Sequence, residues 1–195
     1  MNRILILFFL AILGCMSCKN SEKDVDHLQI AKQYYKILDT SDDASIAGLL
    51  IDSLLTIESE YDYEQTFSLN EYIDWIKWDA SFDPSYRILH IEQENGMVKA
   101  KISKIDRRIL FLHEEPIVTN QIIRFDKDKI ISIETTKYEV FNDSVFSQNR
   151  SKLLNWIDEN HPDLNGFIYD QTEAGAVKYL RALKLYRNHI ELQGQ

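Results

Sequence analysis

Three features of the sequence predict an α+β fold. Apolar residues recur at three- and four-residue spacing near both ends, period-two alternation runs through the middle, and an Asn95-Gly96 pair separates two alternating runs. From Asp24 to Asp43, the residues Leu28, Ala31, Tyr34, Tyr35 and Leu38 make one apolar stripe, which predicts a first helix. Thr40-Ser41-Asp42-Asp43 interrupts it with N-cap residues, and a short second helix is expected through Ile46, Leu49 and Leu50. Leu54 to Glu60 reads either as a strand or as a continuation of that helix. Ser68-Leu69-Asn70-Glu71 spells a capping box, with Phe67 and Tyr72 at the flanking staple positions. The third helix then runs through Ile73, Trp75, Ile76 and Trp78 towards Phe82-Asp83-Pro84.

Beyond Pro84 the period changes to two. Tyr86 to Glu92 and Met97 to Ile105 flank the Asn95-Gly96 turn, and Ile117 to Phe125 and Ile130 to Tyr138 flank Asp126-Lys127-Asp128-Lys129. Arg107-Arg108 either bulges or ends the second strand before Ile109 to Leu112 adds more strand. Four strands in two hairpins predict an antiparallel meander with one face covered by helices. Two helices close the chain. Phe146, Leu153, Trp156 and Ile157 form one stripe that stops at Asn160-His161-Pro162. Ala176, Val177, Leu180 and Leu183 form the other, and Phe167 and Ile168 anchor the polar loop between them.

With 195 residues the chain suffices for one full core. Its 22 basic and 31 acidic residues give a net charge of −9, and no Lys/Arg block exceeds Arg107-Arg108. Such a surface repels polyphosphate, so nucleic acid is not an expected partner. No cofactor and no metal site are predicted: the six glycines do not cluster, no serine elbow occurs, and His27, His113, His161 and His189 lack ligand spacing. Lys99, Lys101 and Lys104 read as a solvated strand face.

The N-terminus carries a separate signal. Arg3 precedes an unbroken apolar run from Ile4 to Leu13, about half of the roughly twenty residues that a membrane-spanning helix needs. The only two cysteines, Cys15 and Cys18, follow it. Ile12-Leu13-Gly14-Cys15 resembles the bacterial lipobox, and Ser17-Cys18-Lys19 is similar to the ending common in lipoproteins of the Bacteroidetes. The resemblance implies diacylglycerol on Cys18 or Cys15, a lipid-anchored envelope protein, and a membrane as its first partner. Residues 1–17 are then a signal peptide and 18–23 a tether. No cysteine remains beyond Cys18, so the domain has no internal disulfide.

Two N-terminal helices, a capped third helix and a run of strands ending in Asn120-Gln121-Ile122-Ile123-Arg124-Phe125-Asp126-Lys127-Asp128-Lys129-Ile130-Ile131-Ser132-Ile133-Glu134 resemble the nuclear transport factor 2-like superfamily, to which SnoaL-like cyclases belong. That resemblance covers residues 24–140 and implies a cone: a curved antiparallel sheet wrapped on helices, with residues 141–195 as two extra C-terminal helices on the same domain. Enzymes of the superfamily hold an acid/base group and a tyrosine inside the cone. Asp74 or Asp79, His90, and Tyr34 or Tyr35 are the candidate equivalents here. Tyr34, Tyr35, Trp75, Trp78 and His90 are the expected pocket residues. Each has an ordinary reading too: a hydrogen-bonded strand histidine, core aromatics, exposed helix carboxylates.

Three functions stay open at this stage. The first is a non-catalytic envelope lipoprotein that binds a small apolar ligand or a protein partner, as a monomer or homodimer. The second is a small cavity enzyme of cyclase, isomerase or dehydratase type. The third is a structural or assembly accessory. Convergence of Tyr34, Asp74, Trp75 and His90 on an open pocket would favour the enzyme.

Overall fold

The computed structural model describes residues 26–193. The segments expected to be a signal peptide and a tether, with both cysteines, lie outside them. The first helix, α1 (His27–Thr40), is capped by the Asp26 carboxylate and ends on Ser41 in the left-handed region. A single turn, α2 (Asp43–Ile46), leads into β1 (Leu50–Glu58), so Leu50 begins a strand instead of extending a helix. After β2 (Tyr63–Ser68), the capping box opens α3 (Leu69–Ala80): Ser68 accepts from the Glu71 amide while Glu71 reaches back to the Ser68 amide. Phe67 and Tyr72 meet edge to face at 5.5 Å, which closes the staple.

Then come β3 (Ser85–Glu94), β4 (Met97–Ile105), the short helix α4 (Arg107–Leu112), β5 (Ile117–Asp126) and β6 (Lys129–Val140). At the β3–β4 turn Asn95 and Gly96 both take positive φ, 51° and 77°. The stretch Ile109–Leu112 is helical, not strand. Asp106 accepts from the Arg108 and Ile109 amides at 2.7 and 2.8 Å, and a new helix starts there.

The chain is α+β, as the patterns predict: a curved sheet of six strands packed on helices. The strand order is β2-β1-β6-β5-β4-β3. Two strands more than the four read from alternation are present, and the β1–β6 pair is parallel, which makes the sheet mixed. Parallel neighbours need a long connection, and here β2 through β5 supply it. Register shifts in the β1–β6, β3–β4 and β5–β6 pairs bend the strands.

Two cores result. On the inner face of the sheet, Tyr35, Leu54, Ile76, Val98, Ile123 and Ile130 are buried among α1, α3 and the strands. Behind α3 lies a second core, where Trp78, Phe82 and Leu112 meet Leu153, Ile157, Phe167 and Leu183. Those last four come from α5 (Asp143–Asn160), the turn Phe167–Tyr169 and α6 (Glu173–Gln193). The C-terminal helices thus back onto α3 and α4. Val177, placed on the apolar stripe by spacing, is exposed, while Ala176, Tyr179, Ala182 and Leu183 face inward. His113 pins this junction: Nδ1 donates to the Glu115 carbonyl at 2.8 Å, and Nε2 accepts from the Asn142 amide at 2.7 Å.

Candidate functional site

Inside the cone is a cavity of about 460 Å³. Tyr34 and Tyr35 enter it from α1, and Tyr72 and Trp75 from α3. The sheet contributes Glu58, Tyr86, Ile102, Lys104, Thr119, Gln121, Thr135 and Tyr138, while Tyr63 and Gln65 stand on β2. Aromatic rings dominate, and their hydroxyls are hydrogen-bonded to one another or to polar side chains. The Tyr34 and Tyr72 hydroxyls lie 2.5 Å apart, and Tyr35 donates to Gln121 Oε1 at 2.7 Å. Burial pushes the phenols of Tyr34, Tyr35 and Tyr72 upward, so all three are neutral at physiological pH.

At one end of the cavity a charged cluster joins the two cores. Asp79 accepts from Lys104 Nζ at 2.7 Å, from Arg108 Nη2 at 2.5 Å and from the Tyr86 hydroxyl at 2.8 Å. Arg108 Nη2 also reaches Asp106 at 2.5 Å. Burial of Asp79 alone would raise its pKa, but Lys104 and Arg108 overcome that and hold it below the usual carboxylate range. Lys104 Nζ stands 4.8 Å over the Tyr86 ring, and the Arg108 guanidinium lies against both Trp78 and Phe82. Two carboxylates and two cations leave this cluster neutral.

At the far side, Glu58 accepts from the Tyr138 hydroxyl at 2.8 Å. Burial raises the Glu58 carboxyl above its ordinary value, and the hydrogen bonds from Tyr138 and Thr135 offset part of that rise. Along the sheet, Glu58 on β1 and Lys104 on β4 are three strand spacings apart, on the order of 14 Å.

The residues singled out from sequence divide sharply. Tyr34, Tyr35 and Trp75 line the cavity. Trp78 does not: it is buried in the second core, because at 100° per residue it points away from Tyr72 and Ile76. Nor does His90. The register shift between Ile88 and His90 puts Tyr86, Ile88 and Ile91 inward and His90 outward, with its side chain 65% exposed beside Glu92. It is therefore neither a cavity base nor a buried strand histidine. Asp74 is exposed and sits beside Lys77, whereas Asp79 is buried, contrary to the reading of both as surface carboxylates.

Lys104 leaves the solvated face expected for it, because it shares parity with the buried Val98, Ala100 and Ile102. That parity, and the spacing of Asp79 three residues after Ile76, were the available signals. Glu58 and Tyr138 carried none, since their strand ends meet only through the parallel pairing. Among the described residues no group of three or more His, Cys, Asp or Glu side chains is placed to hold a metal ion, and no helix is long and apolar enough to cross a membrane.

Neither protein-family profiles nor curated proteins give a match to this chain. Solved structures do. A nuclear transport factor 2-like protein of unknown function from Cytophaga hutchinsonii is 10% identical with a TM-score of 0.45, covering 56% of this chain and 87% of its own. A second such protein, from Burkholderia xenovorans, is 10% identical with a TM-score of 0.46, covering 62% and 89%. The epoxide hydrolase/cyclase-like enzyme SalBIII of salinomycin pyran-ring formation is 10% identical with a TM-score of 0.47, covering 60% and 90%. At this distance they transfer no residue role to this chain.

Proposed function

We propose that the protein is a lipid-anchored envelope lipoprotein whose cone binds a small, neutral, largely apolar molecule bearing hydroxyl or carbonyl groups. One observation carries this reading: the cavity is hollow and aromatic, yet the one cation that lines it, the half-buried Lys104, is already neutralised by Asp79. An anionic ligand would have to break that pair. A neutral one gains ring contacts along Trp75 and Tyr72 and hydrogen bonds to the tyrosine, Gln121 and Thr119 groups. No histidine lines the cavity among the described residues. The anchor, outer-membrane placement and membrane partner rest on the Cys15 and Cys18 context alone.

The test is native mass spectrometry of protein purified from its own membrane. The expected result is a bound neutral molecule whose retention Thr119→Phe, which narrows the cavity, weakens. Acylation of Cys18 or Cys15, with residues 1–17 or 1–14 missing, is expected in the same spectra. A preparation with no adduct, or an adduct indifferent to Thr119→Phe, defeats the cavity reading. An unmodified full-length chain defeats the anchor.

A second reading, a proton-transfer enzyme, is favoured by Glu58. Its carboxyl is raised by burial and already in contact with a phenol. Turnover of the recovered molecule that Glu58→Gln abolishes without loss of binding would convert the first reading into this one.

A further inference from the structure

Among the described residues, Glu58 is the one carboxylate that lines the cone cavity, and no cation pairs with it. It ends β1, in register with Thr135 of β6 on one side and Tyr63 of β2 on the other. The protons around it are already committed. Tyr138 donates to Glu58 Oε2 at 2.8 Å, and Thr135 also donates to this carboxylate. Thr135 accepts from Gln121 Nε2 at 3.5 Å, and Gln121 Oε1 accepts from Tyr35 at 2.7 Å. Tyr63 gives its proton to Gln65 Oε1 at 2.9 Å. The chain of donors from Tyr35 thus runs one way and ends on Glu58. A carboxylate has about four acceptor positions, and Tyr138 and Thr135 occupy only part of them. What is left beside Glu58 is acceptor capacity, in a setting whose burial raises the carboxyl above its ordinary value.

We propose that Glu58 is the specificity-determining residue of the cone: it selects, among neutral apolar molecules, those that present a hydroxyl donor, and rejects the corresponding ketones. A ligand hydroxyl would complete the carboxylate's hydrogen bonding with a charge-assisted bond. A carbonyl in the same place would set oxygen against oxygen and displace the water that otherwise serves Glu58. Sites built to bond a hydroxyl discriminate strongly against analogues that lack it, because the protein group is then left unpaired. The assignment rests on the reading of the cone as a binder of neutral molecules, and it requires no proton transfer.

The test is calorimetric titration of the full chain in detergent, against a protein-free detergent blank, with 1-tetralol and 1-tetralone. The two share a skeleton, but only the alcohol can donate. Tetralol should bind at least ~10-fold more tightly, a difference of about 1.4 kcal/mol. Glu58→Gln keeps an oxygen for Tyr138 and the size of the side chain, but turns N–H donors on the ligand. It should abolish the preference and strengthen tetralone binding, whereas a merely structural role would weaken both probes alike. Tyr138→Phe removes a donor and no acceptor, so the tetralol preference should survive it. Equal affinity for the two probes, a preference that survives Glu58→Gln, or parallel loss of both probes in Glu58→Gln would overturn this inference alone. No saturable heat with either probe, or tighter binding of 1-aminotetralin, a cation at pH 7, would overturn it together with the neutral-ligand reading of the cone.

Discussion

Replacing Asp79 by Asn tests the charged cluster that joins the two cores. Asparagine keeps the size of the side chain and can still accept from Tyr86, but it removes the anion that faces Lys104 and Arg108. Asp79 is 2% exposed, so the two cations would share only Asp106 in a setting that water reaches poorly. Removing one partner of a buried pair costs about 3–5 kcal/mol. For a chain of this size that corresponds to roughly 6–20 °C in melting temperature. Circular-dichroism melts at pH 7 should therefore place the variant about 6–20 °C below wild type. Replacing Lys104 by Met in the same chain should recover part of the loss, since one stranded cation disappears with its partner. The pH dependence has a definite sign. The native carboxyl is held low, so its contribution is fully present above the ordinary value of about 3.9 and fades as pH falls through the lower native one. The gap between wild type and Asp79→Asn should be constant from pH 8 to pH 5 and close only in stronger acid. A variant that melts within about 2 °C of wild type at pH 7 would show that the cluster is solvated and contributes little.

Two further substitutions probe the C-terminal layer. Gly175→Ala should lower the melting temperature, although alanine is the better helix former by about 1 kcal/mol. Its Cβ would stand 2.0 Å from the Asp170 carbonyl oxygen, forcing the turn away; a raised midpoint would refute that contact. Trp156→Ala, which spacing alone would class as a full core deletion at about 3–5 kcal/mol, should cost less. Trp156 is half-buried, stacked on His189 at 4.8 Å with Tyr186 at 5.5 Å. A denaturant midpoint that falls as far as for Leu153→Ala, at a fully buried site in the same helix, would return it to the core.

Helices and hairpins were legible where the determinant is local. The Ser68–Glu71 box and the Asn95-Gly96 turn act over four residues or fewer, and each is found as spelled. Several of the errors trace to a partner far away in sequence, others to a local bulge or cap that apolar periodicity does not register. β2, Tyr63–Ser68, has only Phe67 buried, so no alternation betrays it; its pairing with β1 makes it a strand. A one-residue bulge in β3 turned His90 outward, and bulges leave no mark on apolar periodicity. Asp79 and Lys104 were read as solvated because charge usually is. Their positions on buried faces pointed the other way, and only the fold shows that each is the other's counter-ion.

The parallel β1–β6 pair has a kinetic consequence. It ties Leu55 to Ser132 and Glu58 to Thr135, joining opposite ends of the cone domain. Until β6 exists, β1 has only the polar strand β2 beside it in the sheet. The loop that must close spans most of the domain, so the entropy of closure precedes the contacts that reward it, and folding should be slow for a chain of this length. If the chain is exported as proposed, that delay is an asset: the N-terminal half stays threadable until the last strand has arrived.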